Sequence, residues 1–207
     1  MNLDKEKLAN LIDEVTLYKE INNIEIPEID LYMDQITTFF DDKLGHLKRN
    51  EEDPILTKTM INNYTKGKIL MPSVNKKYSK DHIILLILIY NLKQTLSIND
   101  IELLFSPLIK DSSSVEKGYN LEDIYNSFLE IKKEDLNKFS EFINERIDII
   151  AEKSEDINTS KKNEVELFLL VIMLINQANL QKRLAEKIID NYFKGNEQGK
   201  KTKKNKD

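Results

Sequence analysis

The sequence predicts an all-α protein, and three observations support that prediction. Only five glycines and four prolines occur in 207 residues, so the chain has few residues that favour turns. Apolar residues make up 40% of the chain and charged residues 32%, which is typical of a folded protein with a buried core. Apolar side chains recur at spacings of three and four residues, as amphipathic helices require.

The composition also argues against several functional classes. The chain has no cysteine, which excludes disulfides and thiolate metal sites and favours a reducing, cytoplasmic location. No Gly-x-Gly pair is present, so nucleotide-binding loops of that kind are excluded. His46 and His82 are the only histidines, and neither has acidic neighbours at ligand spacing. With no Ser-His-Asp arrangement, we expect no enzyme, no metal and no cofactor.

Two apolar runs, 83–90 and 167–175, are the most hydrophobic segments of the chain. They contain eight and nine residues, whereas a membrane-spanning helix needs about 20. We therefore interpret both runs as buried helix cores. The first residues mix acids with lysines and do not resemble a signal peptide. We expect a soluble protein that does not bind a membrane.

Helix signals divide the first half of the chain into five segments. Ser79 and Ser97 are good N-cap residues, and Ser97 begins a Ser-x-x-Asp capping box. Gly67 marks a helix end. Pro72 keeps Met71 out of the helical region, so 69–78 is expected to be extended or a tight turn. The predicted helices lie within 1–23, 27–44, 57–66, 79–95 and 97–105.

The second half begins after a segment that interrupts the helical periodicity. Residues 107–120 contain Pro107, three serines and Gly118, and we predict that they form a linker. Helices are then expected at 121–128, at 136–150 and from about 164 to 193. Residues 194–207 form a lysine-rich tail that we expect to be disordered. The helices of 121–193 are too apolar for a lone small bundle, so this part is expected to form a homodimer or to sense a small-molecule effector.

One basic stretch stands out in this acidic chain. Between Thr57 and His82 there are six lysines and one acid, a local balance of +5 against a net charge of −5 for the whole chain. Such clustering in an acidic protein suggests a surface that meets an anionic partner. Residues 120–156 hold eleven acids and five bases, so the second half does not resemble a nucleic-acid surface.

The basic stretch contains a helix with two distinct faces. At 100° per residue from Lys58, the apolar Met60, Ile61 and Tyr64 fall on one arc, so Tyr64 is expected in the core. The opposite arc contains only Lys, Asn and Thr, residues that contact phosphates and base edges. A plain solvated surface is the alternative interpretation. With the lysines that follow and with Tyr78, whose hydroxyl could reach phosphate, the candidate DNA-binding residues are Lys58, Thr59, Asn62, Asn63, Lys66, Lys68, Lys76, Lys77 and Tyr78.

The order of motifs around this helix resembles a known DNA-binding module. The stretch "TMINNYTKGKILMP" is similar to the second helix and exit of the MerR-type winged helix-turn-helix. The following "KKYSKDHIILLILIYNLKQTLSINDIELLF" resembles the Tyr-Ser-x-Asp helix start, long apolar helix and next helix start found there. Asn62 stands where MerR proteins usually carry arginine, and "PSVNKKYS" is shorter than their wing. The resemblance implies a DNA-binding fold, usually dimeric, at 24–106.

A second resemblance covers residues 26–101, from "IPEIDLYMDQ" to "LKQTLSINDI". This run is similar to a bacterial family called domain of unknown function 1836. Its function is unassigned, so the resemblance adds a family and no mechanism. We therefore expect a transcription regulator that binds double-stranded DNA, with 121–193 for dimerisation or sensing. The alternative is a helical protein-interaction module without DNA binding.

Overall fold

The computed structural model describes residues 5–17, 20–112 and 119–194. Within those ranges the chain forms seven α-helices and one small two-stranded antiparallel sheet, which confirms a mostly helical protein. A π-helical turn, Ile189–Phe193, extends the last helix. The elements are α1 (Lys5–Thr16), β1 (Leu31–Tyr32), α2 (Met33–Leu44), α3 (Lys58–Lys66), β2 (Lys77–Tyr78), α4 (Lys80–Leu92), α5 (Ile98–Ser112), α6 (Leu121–Lys153) and α7 (Lys162–Ile188).

The described residues fall into two compact units. One lies within 1–20 and 127–183, and the other within 21–126 and 184–207. The first part of α6 therefore packs with the N-terminal module, beyond the boundary expected at 106. Leu121 and Tyr125 are buried there, and the hydroxyl of Tyr125 donates a 2.5 Å hydrogen bond to the carbonyl of Ile21.

Helix α4 forms the centre of the unit within 21–126. All five side chains of Ile83–Ile87 are 0% exposed, because a helix that is apolar on every side must be covered on every side. This confirms the first apolar run as a buried core. The surrounding helices each contribute large buried side chains, among them Ile36, Phe40, Ile61, Ile101 and Phe105.

The small sheet joins two segments that are far apart in sequence. Leu31 pairs with Tyr78 and Tyr32 with Lys77 in antiparallel register. Because Leu31 and Tyr32 pair with a strand, α2 begins at Met33, and the expectation of a helix from Pro27 is wrong. The sheet places the start of α2 next to the 69–78 segment.

The helices after residue 97 are longer than expected. Helix α5 continues through Pro107 to Ser112, so the predicted linker begins too early. The later linker residues 113–118 lie outside the described residues, as does 195–207 of the tail. The two helices expected at 121–128 and 136–150 are one helix, α6. The residues between them, "LEIKKED", contain no helix breaker, and all of their charged side chains except Lys132 are exposed.

The second apolar run, 167–175, lies in α7 and is mostly exposed. Leu170 is buried, but Phe168 is 65%, Val171 58% and Ile175 58% exposed. The expectation of a buried core is therefore wrong for this run within one copy of the chain. The span Lys162–Phe193 is also long and apolar enough to cross a membrane, by length and composition only.

Candidate nucleic-acid interface

Helix α3 begins at a well-formed N-cap. The Oγ1 of Thr57 accepts a 3.1 Å hydrogen bond from the backbone N–H of Met60, satisfying a donor that the first helical turn leaves open. Ile61 and Tyr64 are 0% and 6% exposed, and this apolar side fixes the orientation of the helix. Tyr64 therefore packs in the core, as its position on the wheel predicts.

The other end of α3 forms a Schellman motif. The N–H of Lys68 donates to the carbonyl of Thr65, and that of Ile69 donates to the carbonyl of Tyr64. Gly67 ends the helix as expected, but Lys68 is the residue in the left-handed region, with φ 57°. At Gly67 an added Cβ would lie 3.2 Å from the carbonyl oxygen of Asn63. Backbone geometry thus fixes the direction in which the chain leaves α3 at Lys68.

The polar side of α3 faces solvent along its whole length. We use the term α3 polar face for five residues that are all exposed: Lys58, Thr59, Asn62, Asn63 and Lys66. The helical wheel predicted this separation correctly. Lys66 makes no ion pair with any residue in the described ranges, so its charge is available to a ligand.

Residues 74–77 form a tight hairpin turn after α3. The N–H of Val74 donates to the carbonyl of Lys77 at 3.0 Å, and the N–H of Lys77 donates to the carbonyl of Val74 at 2.9 Å. The two central residues, Asn75 and Lys76, have φ of 52° and 63°, as a type I′ turn requires. Val74, Asn75 and Lys76 are all exposed at the tip of this 74–77 turn.

Contacts to the β1–α2 junction bring the 74–77 turn close to the start of α3. The Nζ of Lys77 lies 5.3 Å from the centroid of the Tyr32 ring, a cation–π distance. Lys58 forms an ion pair with Asp34, two residues further along. Tyr32 and Asp34 lie two residues apart at the start of α2, so Lys58 and Lys77 both contact the same short segment.

Tyr78 lies apart from these exposed residues. Its side chain is 4% exposed and packs edge-on against the His82 ring, with centroids 5.5 Å apart. His82 Nδ1 accepts a 3.1 Å hydrogen bond from the N–H of Ser79, and Nε2 lies 3.3 Å from the carbonyl oxygen of Pro72. The imidazole therefore carries its proton on Nε2. Burial lowers the pKa of His82, although the Pro72 carbonyl and nearby Asp81 oppose that effect.

Lys80, the last lysine of the basic stretch, takes part in an ion-pair network. Its Nζ lies 2.5 Å from Glu28 and 3.0 Å from Glu122, and its side chain is 12% exposed. These two carboxylates raise the pKa of Lys80. Asn23 also donates to Glu122 at 3.2 Å. Lys80 is therefore a structural residue, and five lysines remain for an anionic partner.

Comparison with known families assigns this part of the chain. The family model for domain of unknown function DUF1836 matches residues 21–128, just over half of the chain. The chain belongs to the DUF1836 family. No curated protein and no solved structure shows significant similarity to it.

The DUF1836 match and the compact unit have nearly the same limits. The match ends at 128 and the unit's first segment at Asn126, so both include the start of α6. The contacts of Tyr125 with Ile21, and of Glu122 with Lys80 and Asn23, hold that turn to the rest of the unit. The candidate residues all lie inside the DUF1836 domain.

The structure brings most of the predicted residues together and adds others. Lys58 of the α3 polar face and Lys77 both contact the β1–α2 junction, and Lys76 adjoins Lys77 at the turn. Sequence reasoning did not include Val74, Asn75 or Asp34 in this surface. The Val-Asn-Lys-Lys sequence carries a weak signal for the turn, since asparagine tolerates positive φ. No sequence signal indicates the ion pair of Asp34, because its partner is 24 residues away.

One small cleft among the described residues can be compared with the effector prediction. A cleft of about 240 Å³ lies between α1 and α6, lined by Leu8, Ala9, Ile12, Asn144, Ile147 and Asp148. It is smaller than an ordinary ligand pocket, about 300–1,000 Å³, so it supports no effector proposal. Over the described ranges, no three His, Asp or Glu side chains lie together as a metal site would require.

Proposed function

We propose that the DUF1836 domain of this chain is a MerR-like winged helix-turn-helix module that binds double-stranded DNA and regulates transcription. In this proposal α3 enters the major groove and the 74–77 turn acts as a short wing. The observation that carries the proposal is the α3 polar face, an exposed helix face formed only of Lys, Asn and Thr.

The chemistry of the α3 polar face suits a DNA groove. Lys58 and Lys66 stand at opposite ends of the helix, where they would meet phosphates of the two strands bordering the groove. Asn62 and Asn63 lie between them, and an asparagine amide can bond adenine through two hydrogen bonds. The buried side of the helix leaves these five residues free of packing roles.

The 74–77 turn supports the proposal because of its position and charge. A hairpin beside the recognition helix allows a second contact with the DNA backbone, as wings provide. Lys76 is exposed at its tip, and Lys77 is held near Tyr32 at its base. Lys68 adds a further positive charge at the end of α3.

The order of elements supports the MerR-like assignment, with two departures. Helices α2 and α3, the small sheet, α4 and α5 follow the order of that module. The connection between α2 and α3 spans residues 45–57, longer than the turn of about 3–4 residues in an ordinary helix-turn-helix. Asn62 replaces the usual arginine. We therefore propose DNA binding without the promoter-twisting mechanism of MerR proteins.

One observation favours the alternative, a protein-interaction module without DNA binding. Asp34 is 77% exposed and pairs with Lys58, so an acid lies within the proposed surface. An acid at that position repels phosphate and lowers the charge available for DNA. Four other lysines at this surface do not pair with Asp34: Lys66, Lys68, Lys76 and Lys77. Their combined positive charge exceeds the single negative charge of Asp34.

Selection of bound duplexes from a random DNA pool tests the proposal directly. We expect an enriched motif, and binding of that motif can then be measured by fluorescence anisotropy. A variant with Lys58, Lys66, Lys76 and Lys77 all changed to glutamine should bind at least about 100-fold more weakly at low salt. A protein that enriches no sequence and binds duplex DNA no better than this variant contradicts the proposal.

The matched control removes the same charge elsewhere. Lys133, Lys138, Lys153 and Lys161 are exposed residues of the other compact unit. Changing these four to glutamine gives the same net charge as the test variant. We expect that control to retain DNA binding, because the effect depends on position and not on total charge.

A further inference from the structure

An apolar seam runs along the exposed side of α7. The three most exposed apolar residues of 168–175 are Phe168, Val171 and Ile175, at 65%, 58% and 58%. On a helical wheel they lie well away from Leu170, which is buried. Their spacings, three and four residues, continue in both directions to the seam Glu164, Phe168, Val171, Ile175, Ala178 and Lys182.

We propose that α7 pairs antiparallel with the α7 of a second copy of this chain, through that seam. The seam keeps the alternating four-three spacing of a two-helix interface over about 28 Å of helix. Antiparallel pairing about a two-fold axis near residue 173 sets Val171 opposite the Ile175 of the second copy. It sets Phe168 opposite Ala178, a large side chain against a small one.

The charged ends of the seam determine the orientation. In the antiparallel arrangement Glu164 of each copy faces Lys182 of the other, giving two attractive pairs related by the two-fold axis. In a parallel arrangement Glu164 would face Glu164 and Lys182 would face Lys182, which is repulsive at both ends. Glu164 lies 3.4 Å from Lys161 in its own chain, and Lys182 also has a contact within its own chain. Both side chains are exposed, so these contacts are weak and leave both charges able to meet a second copy.

The exposed apolar area also fits a second copy. Ile172 and Leu174 flank the seam on either side of the helical wheel and are 45% and 36% exposed. With Phe168, Val171 and Ile175 they form one contiguous apolar strip along α7, a surface of the kind that marks a contact with another protein. The seam lies at the centre of that strip.

A membrane is a poorer occupant for the same surface. Amide side chains follow the apolar run at Asn176, Gln177 and Asn179, and the nine residues of 167–175 span only about 14 Å. The hydrocarbon core is about 30 Å thick, so a spanning α7 would place several amides inside it. In the proposed dimer the exposed Asn176 and Asn179 lie outside the seam, where water can reach them.

Sedimentation equilibrium of the full chain tests the interface. We expect a dimer, and Val171→Glu should raise its dissociation constant at least about 100-fold, because it places two carboxylates at the centre. Leu180→Glu is the matched control: Leu180 is 60% exposed on the same helix but points away from the seam. Circular dichroism should show both variants helical. A monomeric wild-type chain, or equal effects of the two changes, overturns the proposal.

Cross-linking tests the orientation, since the natural chain has no cysteine. Glu164→Cys and Lys182→Cys variants are mixed, with one of them carrying a size tag, and oxidised. Antiparallel pairing yields the mixed cross-linked species, whereas parallel pairing yields each variant linked to itself. Co-sedimentation with phosphatidylcholine–phosphatidylglycerol vesicles that is abolished by Val171→Glu would overturn the proposal in favour of a membrane. Neither experiment depends on DNA binding.

Discussion

The Nζ of Lys80 lies 3.0 Å from a carboxylate oxygen of Glu122, so the first residue of α4 is held to the first turn of α6. This ion pair joins residues 42 apart in sequence. Because of this pairing, Lys80 has a structural role and is not one of the lysines available to an anionic partner. The same pairing makes the start of α6 part of the DUF1836 domain. The first prediction follows from it.

Lys80→Met should reduce the free energy of unfolding by about 1–2 kcal/mol, because Glu28 and Glu122 both lose a charged partner. The expected loss is smaller than for two buried ion pairs, because the Glu28 side chain is 77% exposed. Urea denaturation measures the loss. Lys43→Met, which breaks a more exposed pair with Glu25, should cost no more than about 0.5 kcal/mol. A change in the salt dependence of DNA binding in Lys80→Met would contradict our structural assignment of this lysine.

Lys76→Gly should separate stability from DNA binding. Lys76 has φ 63°, which glycine adopts without the strain that a side chain imposes. Stability should therefore stay equal or rise by up to about 1 kcal/mol, while DNA affinity falls with the lost charge. Thermal unfolding and anisotropy measure the two effects. Asn75→Gly relaxes the same turn without removing a charge, and should leave the affinity nearly unchanged.

Asp34→Asn should strengthen DNA binding. The change removes a negative charge from the proposed surface and releases Lys58 from its ion pair. We expect affinity to rise about 3- to 10-fold at low salt, with a smaller gain at high salt. Asp42→Asn alters the net charge equally at the other end of α2 and should have little effect. Equal gains from both variants would indicate general electrostatics and count against a defined contact surface.

The DUF1836 domain should become less stable as the pH is lowered below neutrality. Burial lowers the folded-state pKa of His82 below the value of about 6.5 expected for the unfolded chain. The unfolded state therefore binds more protons between those two values, and stability rises with pH across that interval. The contribution of His82 to stability is fully present above about pH 7 and is lost as the pH falls towards the folded-state pKa of His82.

The contribution of His82 is obtained by difference. Urea midpoints are measured from pH 7.5 to 5 for the wild-type chain and for His82→Gln, which keeps a polar side chain but does not titrate there. We expect the variant to be less stable at pH 7.5 and to show a smaller decrease on acidification. Parallel curves would mean that other groups cause the acid sensitivity.

The salt dependence of binding should distinguish phosphate contacts from base contacts. With about three or four lysine contacts per protomer and two protomers, log K should fall against log salt with a slope of roughly −5 to −7. Lys66→Ala should reduce that slope by about 1–2 in a dimer and weaken all sequences alike. Asn62→Ala should keep the slope and relax preference at one base pair, at a cost of about 1–3 kcal/mol per contact. Equal behaviour of the two variants would contradict the roles we assign to Lys66 and Asn62.

Sequence alone determined the local features of this protein. The α3 polar face and the buried α4 follow from helical periodicity, since a turn of 3.6 residues decides which side chains share a face. The N-cap at Ser97 follows in the same way, because its hydroxyl accepts a hydrogen bond from the backbone N–H of Asp100, only three residues away. These contacts depend on neighbouring residues and hardly on the rest of the chain.

The tertiary structure decided every feature that depends on residues far apart in sequence. Lys58, Lys77 and Lys80 look equivalent in the basic stretch, yet their partners are Asp34, Tyr32 and the pair Glu28 and Glu122. Tyr78 is buried because β2 pairs with a strand near residue 31. The two apolar runs look alike in sequence, but only the run in α4 is covered by other helices. Hydrophobic periodicity specifies that a face avoids water, and the packing of distant segments, or of a second copy, specifies what covers it.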